Sequence, residues 1–245
     1  MPLPPPAVNS AVFAHHAPNA DPTAGDAVSQ AVVSAGKALE QAYTSITAAH
    51  AAHMANPMLP RQGNLKRSAD YSDKVVRAMS AGLNANATAI DAELAALDTQ
   101  VNAPLALPKE PGTHYSATAQ QIRDYFRSLP ADERLSRATK AAQEGDTVTL
   151  GALLNAPGYL SGMDHVGSKT GISQQGLLAD TYRSVHHRAA LDRLAKLRKC
   201  REMITVGTNT LMQHVDRLHP HADLASAVTL DKAAKDASAL AERYL

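Results

Sequence analysis

Seven basic side chains crowd one short stretch of the chain: Arg183, Arg188, Arg193, Lys196, Arg198, Lys199 and Arg201, with His186 and His187 among them. Asp192 is the single acid in that window, against a net charge of +1 for all 245 residues. A run of this kind neutralises phosphates or meets an acidic protein face. Beyond Tyr182 it carries no interleaved aromatics on which bases would stack. It shows no recognition-helix or zinc-finger spacing either. The run reads as a solvated basic face, as one that pairs with an acidic face of a neighbouring subunit, or as a contact to DNA.

Histidines form the second chemical group. His50 and His53 lie three apart, and His214, His219 and His221 cluster around Pro220. Helical i, i+3 or i+4 histidines share a metal where two more ligands complete the set. No cysteine pair or nearby carboxylate does so here, and no metal or cofactor is assigned. The passage GYLSGMDH sets Ser161 beside Gly162, Asp164 and His165. It is not a G-x-S-x-G elbow, and it reads as a Gly/Ser turn with Asp164 capping the next helix. Cys200 is the only cysteine, so no intrachain disulfide forms. It lies on an apolar stripe and reads as a buried thiol rather than a nucleophile, in a reducing compartment or a virion assembled in one. Phosphate loops and dinucleotide fingerprints are absent. The expectation is a non-enzymatic protein with no small-molecule substrate.

The elements that must position these groups are helical. Trp is absent, aromatics make up 4% of the chain, and the apolar 44% is dominated by alanine. Alanine is the strongest helix former and builds thin, closely packed layers. From Val28 through Val32, Ala35, Leu39, Ala42, Ile46 and Ala49 to His53, spacings of 4 and 3 alternate and keep one seam on one side of a helix. This helix is expected over about 23–56, capped by Asp21 or Thr23 and stopped by Pro57. The first 60 residues hold only Asp21, Asp26, Lys37 and Glu40 as charges. A helix so poor in charge must be covered on more than one side, by other helices or by copies of itself. A second stripe, Val76, Met79, Leu83, Ala87, Ile90, Leu94, Leu97 and Val101, predicts a partner helix over 68–102 and an antiparallel hairpin.

The expected fold class is all-α: an elongated helical bundle with that hairpin, a small helical module and a very long C-terminal helix. Five segments follow. Residues 1–22 form an extended Pro-rich arm, because Pro2, Pro4, Pro5, Pro6, Pro18 and Pro22 oppose helix. Residues 23–103 are the hairpin. The proline-marked stretch APLALPKEPG places a linker at 104–115. Short helices fill 116–163, one starting at Pro130 and ending at Gly145, the next capped by Asp146. Residues 164–245 hold one helix over 173–219, with Leu178, Tyr182, Val185, Leu194, Leu197, Cys200, Ile204 and Leu211 on its inner stripe, and a last amphipathic helix after Pro220. No apolar run is long enough to span a bilayer, and the start lacks the pattern of a signal peptide.

The stretch DERLSRATKAAQEGDTVTLGALLNAPGYLSGM, Asp132 to Met163, resembles small helical proteins of unassigned role in the structural modules of tailed phages and prophages. The resemblance implies a virion context and carries over no catalytic residue. The expected function is therefore a structural or assembly subunit of a tailed-phage virion, in the neck, tail or internal ejection machinery. It would be assembled in the bacterial cytoplasm and act through helix packing with its own copies and other virion proteins. Two alternatives stand: a nucleic-acid-binding packaging or regulatory protein using 183–201, and a bacterial helical partner-binding or effector protein.

Overall fold

The computed structural model describes residues 4–19, 26–59, 61–105, 113–163 and 173–219. The protein is all-α. Its helices are α1 (Ser10–His16), α2 (Ala27–Met54), α3 (Arg61–Asn102), α4 (Thr113–Ser128), α5 (Ala131–Glu144), α6 (Thr147–Leu154), α7 (Gln174–His186) and α8 (Arg188–Leu218). The helix expected after Pro220 and most of the proline-marked linker lie outside the described residues. Among the described residues no helix is long and apolar enough to cross a membrane. The chain divides into two compact units, Met1–Leu94 with Ala195–Leu245, and Ala95–Leu194.

In the first unit, α2 starts where Asp26 accepts hydrogen bonds from the backbone N–H groups of Val28 and Ser29. That cap stabilises the helix by about 1 kcal/mol. The cap is Asp26, not the expected Asp21 or Thr23, which lie outside the described residues. The turn after α2 is held by Asn64, whose amide donates to the carbonyls of Asn56 and Leu59. This lets α3 begin at Arg61 instead of Ser68, with Gly63 inside its first turn.

Contacts along the helices give their directions. Leu39 lies against Gly207, Thr47 against His214 and His50 against His219, so α2 and α8 run parallel. Asp91 meets Arg201 and Ser72 meets His219, so α3 runs antiparallel to α8. It follows that α2 and α3 are antiparallel, as the hairpin reading expects.

The heptad seam is buried by the chain itself. Val32, Ala35, Leu39, Ala42 and Ile46 are at most 3% exposed, and Ala49 is half-buried. Of the two coverings expected for this seam, other helices or copies of the chain, the first is seen: α8 and α1 of the same chain lie on α2. The expected extended arm is corrected. Residues 6–8 form a 3-10 turn, Asn9 caps α1 by accepting from Ala11 N–H, and Val8 and Phe13 are fully buried. Each of those side chains contributes about 1.5–3 kcal/mol on burial, enough to dock a two-turn helix. Phe13 fits because position 36 is glycine. A Cβ there would lie 2.6 Å from Phe13 Cβ.

The second unit packs α4, α5, α6 and α7 around Phe126, Ala138, Ala142, Leu150, Leu153 and Leu178. The boundary between α5 and α6 follows the expected punctuation. Gly145, at φ 78°, closes α5, and Asp146 accepts from Thr149 N–H to start α6. The unit begins inside α3 rather than at the proline stretch, because Asn102 and Leu105 belong to its packing. Arg183 Nε donates to Asn102 Oδ1, and the Asn155 amide donates to the Leu105 carbonyl. The single helix expected over 173–219 is interrupted at His187, where φ is −128° and ψ 24°. Leu178, Ala179 and Tyr182 are buried on α7, but Val185, expected on the same stripe, is 53% exposed.

Candidate functional site

The basic residues meet different surroundings along the run. In the second unit Arg183 is engaged by Asn102 and by Asp180 at 3.0 Å, Arg188 is exposed and Arg193 is half-buried. In the first unit Arg201 pairs with Asp91 at 2.9 Å, the two side chains being 12% and 19% exposed. Its Nη1 also donates to Thr205 Oγ1. Lys196 and Arg198 are exposed, and Lys199 lies 3.6 Å from Glu202. At 3.6 residues per turn, Lys196 and Lys199 share one flank of α8, while Arg198 and Arg201 fall on the other.

Histidines separated in the sequence come together in the first unit. Because α2 and α8 are parallel, their C-terminal turns lie at the same end of the bundle. The rings of His50 and His219 pack edge to face with centroids 5.2 Å apart. His219 Nε2 lies 3.0 Å from Ser72 Oγ and 3.4 Å from Ser68 Oγ, and Ser68 Oγ lies 3.1 Å from His50 Nδ1. One helical turn away, His214 stacks on Tyr43 at 4.2 Å, and its Nε2 meets Thr47 Oγ1 at 2.9 Å. His219 is 6% exposed, and its Nδ1 is buried without a hydrogen-bond partner.

Burial holds His50, His214 and His219 below the usual imidazole range. Neighbouring charge adds to this: His53 for His50, Arg217 and His50 for His214, and His50 and His214 for His219, where Asp73 acts in the opposite sense. Neither histidine group alone implied the other. The usable signal was that His53 precedes Pro57 and His219 precedes Pro220, so both groups mark helix ends. Ser68 and Ser72 gave no signal. Among the described residues, no group of three or more His, Cys, Asp or Glu is arranged to hold a metal.

In the second unit the residue that organises the passage around Ser161 is Arg134. Its guanidinium donates to the carbonyls of Phe126 at 2.9 Å, Leu129 at 2.8 Å, Arg127 at 3.3 Å and Gly162 at 2.7 Å. Three of these are carbonyls at or just beyond the end of α4, where the helical ladder runs out; that of Phe126 also accepts from Leu129 N–H. Arg127 in turn donates twice to the Leu160 carbonyl. Ser161 is 1% exposed, and its hydroxyl donates to the Gly158 carbonyl. Asp164 and His165 lie outside the described residues.

Cys200 is fully buried and donates to the His16 carbonyl, and burial pushes its thiol up to about 11. At neutral pH it is a protonated packing group. No family model, curated protein or solved structure matches the chain.

Proposed function

We propose that this protein is a non-enzymatic helical assembly subunit of a tailed-phage particle. One observation carries the reading: among the described residues, the candidate side chains with chemical capacity bind the chain's own scaffold. Arg134 and Arg127 hold backbone carbonyls, Arg201 holds Asp91, Cys200 faces a carbonyl, and His50, His214 and His219 face hydroxyls of neighbouring helices. The segment that resembles phage structural-module proteins, Asp132–Met163, includes α5, α6 and the Arg134 clamp. Exposed Tyr159, Leu177 and Val185 of the same unit offer apolar surface to a partner protein.

Mass spectrometry of particles purified from a host that carries and expresses the gene tests the proposal. The chain is expected in the particles at a fixed ratio to the major structural proteins. Abundant expression with no copy in washed particles overturns it.

A further inference from the structure

The positions of the hydrogens in the histidine cluster follow from the donors around it. Ser72 Oγ donates to the Ser68 carbonyl at 3.0 Å. A hydroxyl has one proton, so the contact between Ser72 Oγ and His219 must be donated by His219 Nε2. Thr47 Oγ1 donates to the Tyr43 carbonyl at 2.7 Å, so His214 Nε2 is likewise the donor to Thr47. Ser68 Oγ then receives from His219 and gives its proton to His50 Nδ1. All three imidazoles are accommodated neutral.

On two of the three rings a further proton has no good place. On His219 it would sit on Nδ1, which is buried and faces no acceptor. On His50 it would sit on Nδ1, which costs the hydrogen bond that Ser68 donates there and turns the Ser68 proton away. Among the described residues, the charged and titratable groups facing the cluster are His53 and Tyr43 from α2, Asp73 from α3 and Arg217 from α8. Of these only Asp73 favours a positive imidazole, and it acts on His219 alone.

We infer that the cluster is an acid-released latch: neutral His50, His214 and His219 hold the last turns of α8 against α2 and α3, and their protonation lets those turns go. The lowered affinities of all three rings for protons agree with this. Their folded-state values lie below the ordinary 6.5, so the unfolded state binds more protons as the pH drops past that value. The contribution is complete above 6.5 and is lost as pH falls through the folded-state values.

Amide hydrogen exchange on the full chain tests the latch, with intrinsic rates corrected for pH. Between about pH 7.5 and about pH 5.0, protection over 208–219 is expected to fall about tenfold or more, while 76–90 and 138–153 keep theirs. In the H50Q/H214Q/H219Q variant, protection over 208–219 should not change with pH. The imidazole Cε1–H resonances of the native chain give a second measurement, independent of whether that variant folds. They should titrate below 6.5, in step with the loss of protection. Constant protection down to about pH 5.0, equal loss in every helix, or loss at a pH where none of the three rings titrates overturns the inference. So does a triple variant that opens on acidification as the native chain does.

Discussion

The two units tie their helices with different chemistry. The first joins α2, α3 and α8 through neutral histidines that share hydroxyls. The second joins α4, α5 and the turn at Gly162 through a guanidinium that saturates four carbonyls. Both devices satisfy polar groups at helix ends, where the backbone ladder runs out. They differ in what they respond to. Arginine keeps its charge throughout the biological pH range, whereas an imidazole changes charge within it. The guanidinium tie is therefore indifferent to acid, whereas the proposed histidine latch responds to it.

The sharpest way to break the comparison is to remove the guanidinium. Arg134→Met keeps much of the stem but takes the guanidinium from the carbonyls of Leu129 and Gly162, and leaves that of Phe126 with Leu129 N–H alone. Hydrogen bonds to a charged group contribute about 1.5–3 kcal/mol each but overlap strongly when one group makes several, so a loss of about 3 kcal/mol is expected. Denaturant-dependent hydrogen exchange over 138–153 should show it, with 32–46 unaffected. Arg134→Lys should recover only part, because an ammonium cannot reach four carbonyls in one plane. Equal loss in both units would mean that they unfold together and that the contrast between them is empty.

A second test acts on the first unit without touching its histidines. Gly36→Ala puts a methyl group 2.6 Å from Phe13 Cβ, and Phe13 is fully buried with no room to turn away. Overpacking of this kind costs about 1–3 kcal/mol. Protection over 10–16 is expected to collapse first, because α1 can lift off while the three long helices stay together. An unchanged thermal midpoint and unchanged α1 protection would show that Phe13 is not what docks the N-terminal residues.

These features differ in how visible they are in the sequence. Burial stripes are a local property, so Val32 to Ile46 and Val76 to Val101 were legible as core positions. So were Gly145 and Asp146, whose backbone roles depend only on near neighbours. The N-terminal residues were misread because four early prolines outweighed two apolar anchors, and proline opposes helix only from within it. The break at His187 did leave a trace, because the stripe residues Val185 and Leu194 stand half a turn out of phase at 3.6 residues per turn, so the apolar face changes there. Arg134 and the histidine cluster were illegible for a different reason. Their partners are a carbonyl 28 residues away and hydroxyls up to 167 residues away, and no spacing rule reports on such pairs. What local pattern does give is which helix end a polar residue occupies, and both devices sit at helix ends.

The smallest expected effect concerns the basic residues that the scaffold leaves outside. Lys196 is exposed, and Lys199 meets Glu202 with both side chains more than half exposed. An exposed pair of this geometry contributes at most about 1 kcal/mol and often nothing measurable. Lys196→Gln with Lys199→Gln should therefore leave exchange in both units within error. That neutrality makes the double variant a clean probe of the remaining nucleic-acid reading. If the chain binds DNA through this flank, the slope of affinity against salt concentration should fall by about two, near one for each phosphate that the variant no longer neutralises. If the native chain gives no salt-dependent shift of duplex DNA, the flank is ordinary solvated surface. Arg201 cannot substitute in that test, because it is paired with Asp91 and its removal would perturb α3 and α8 instead.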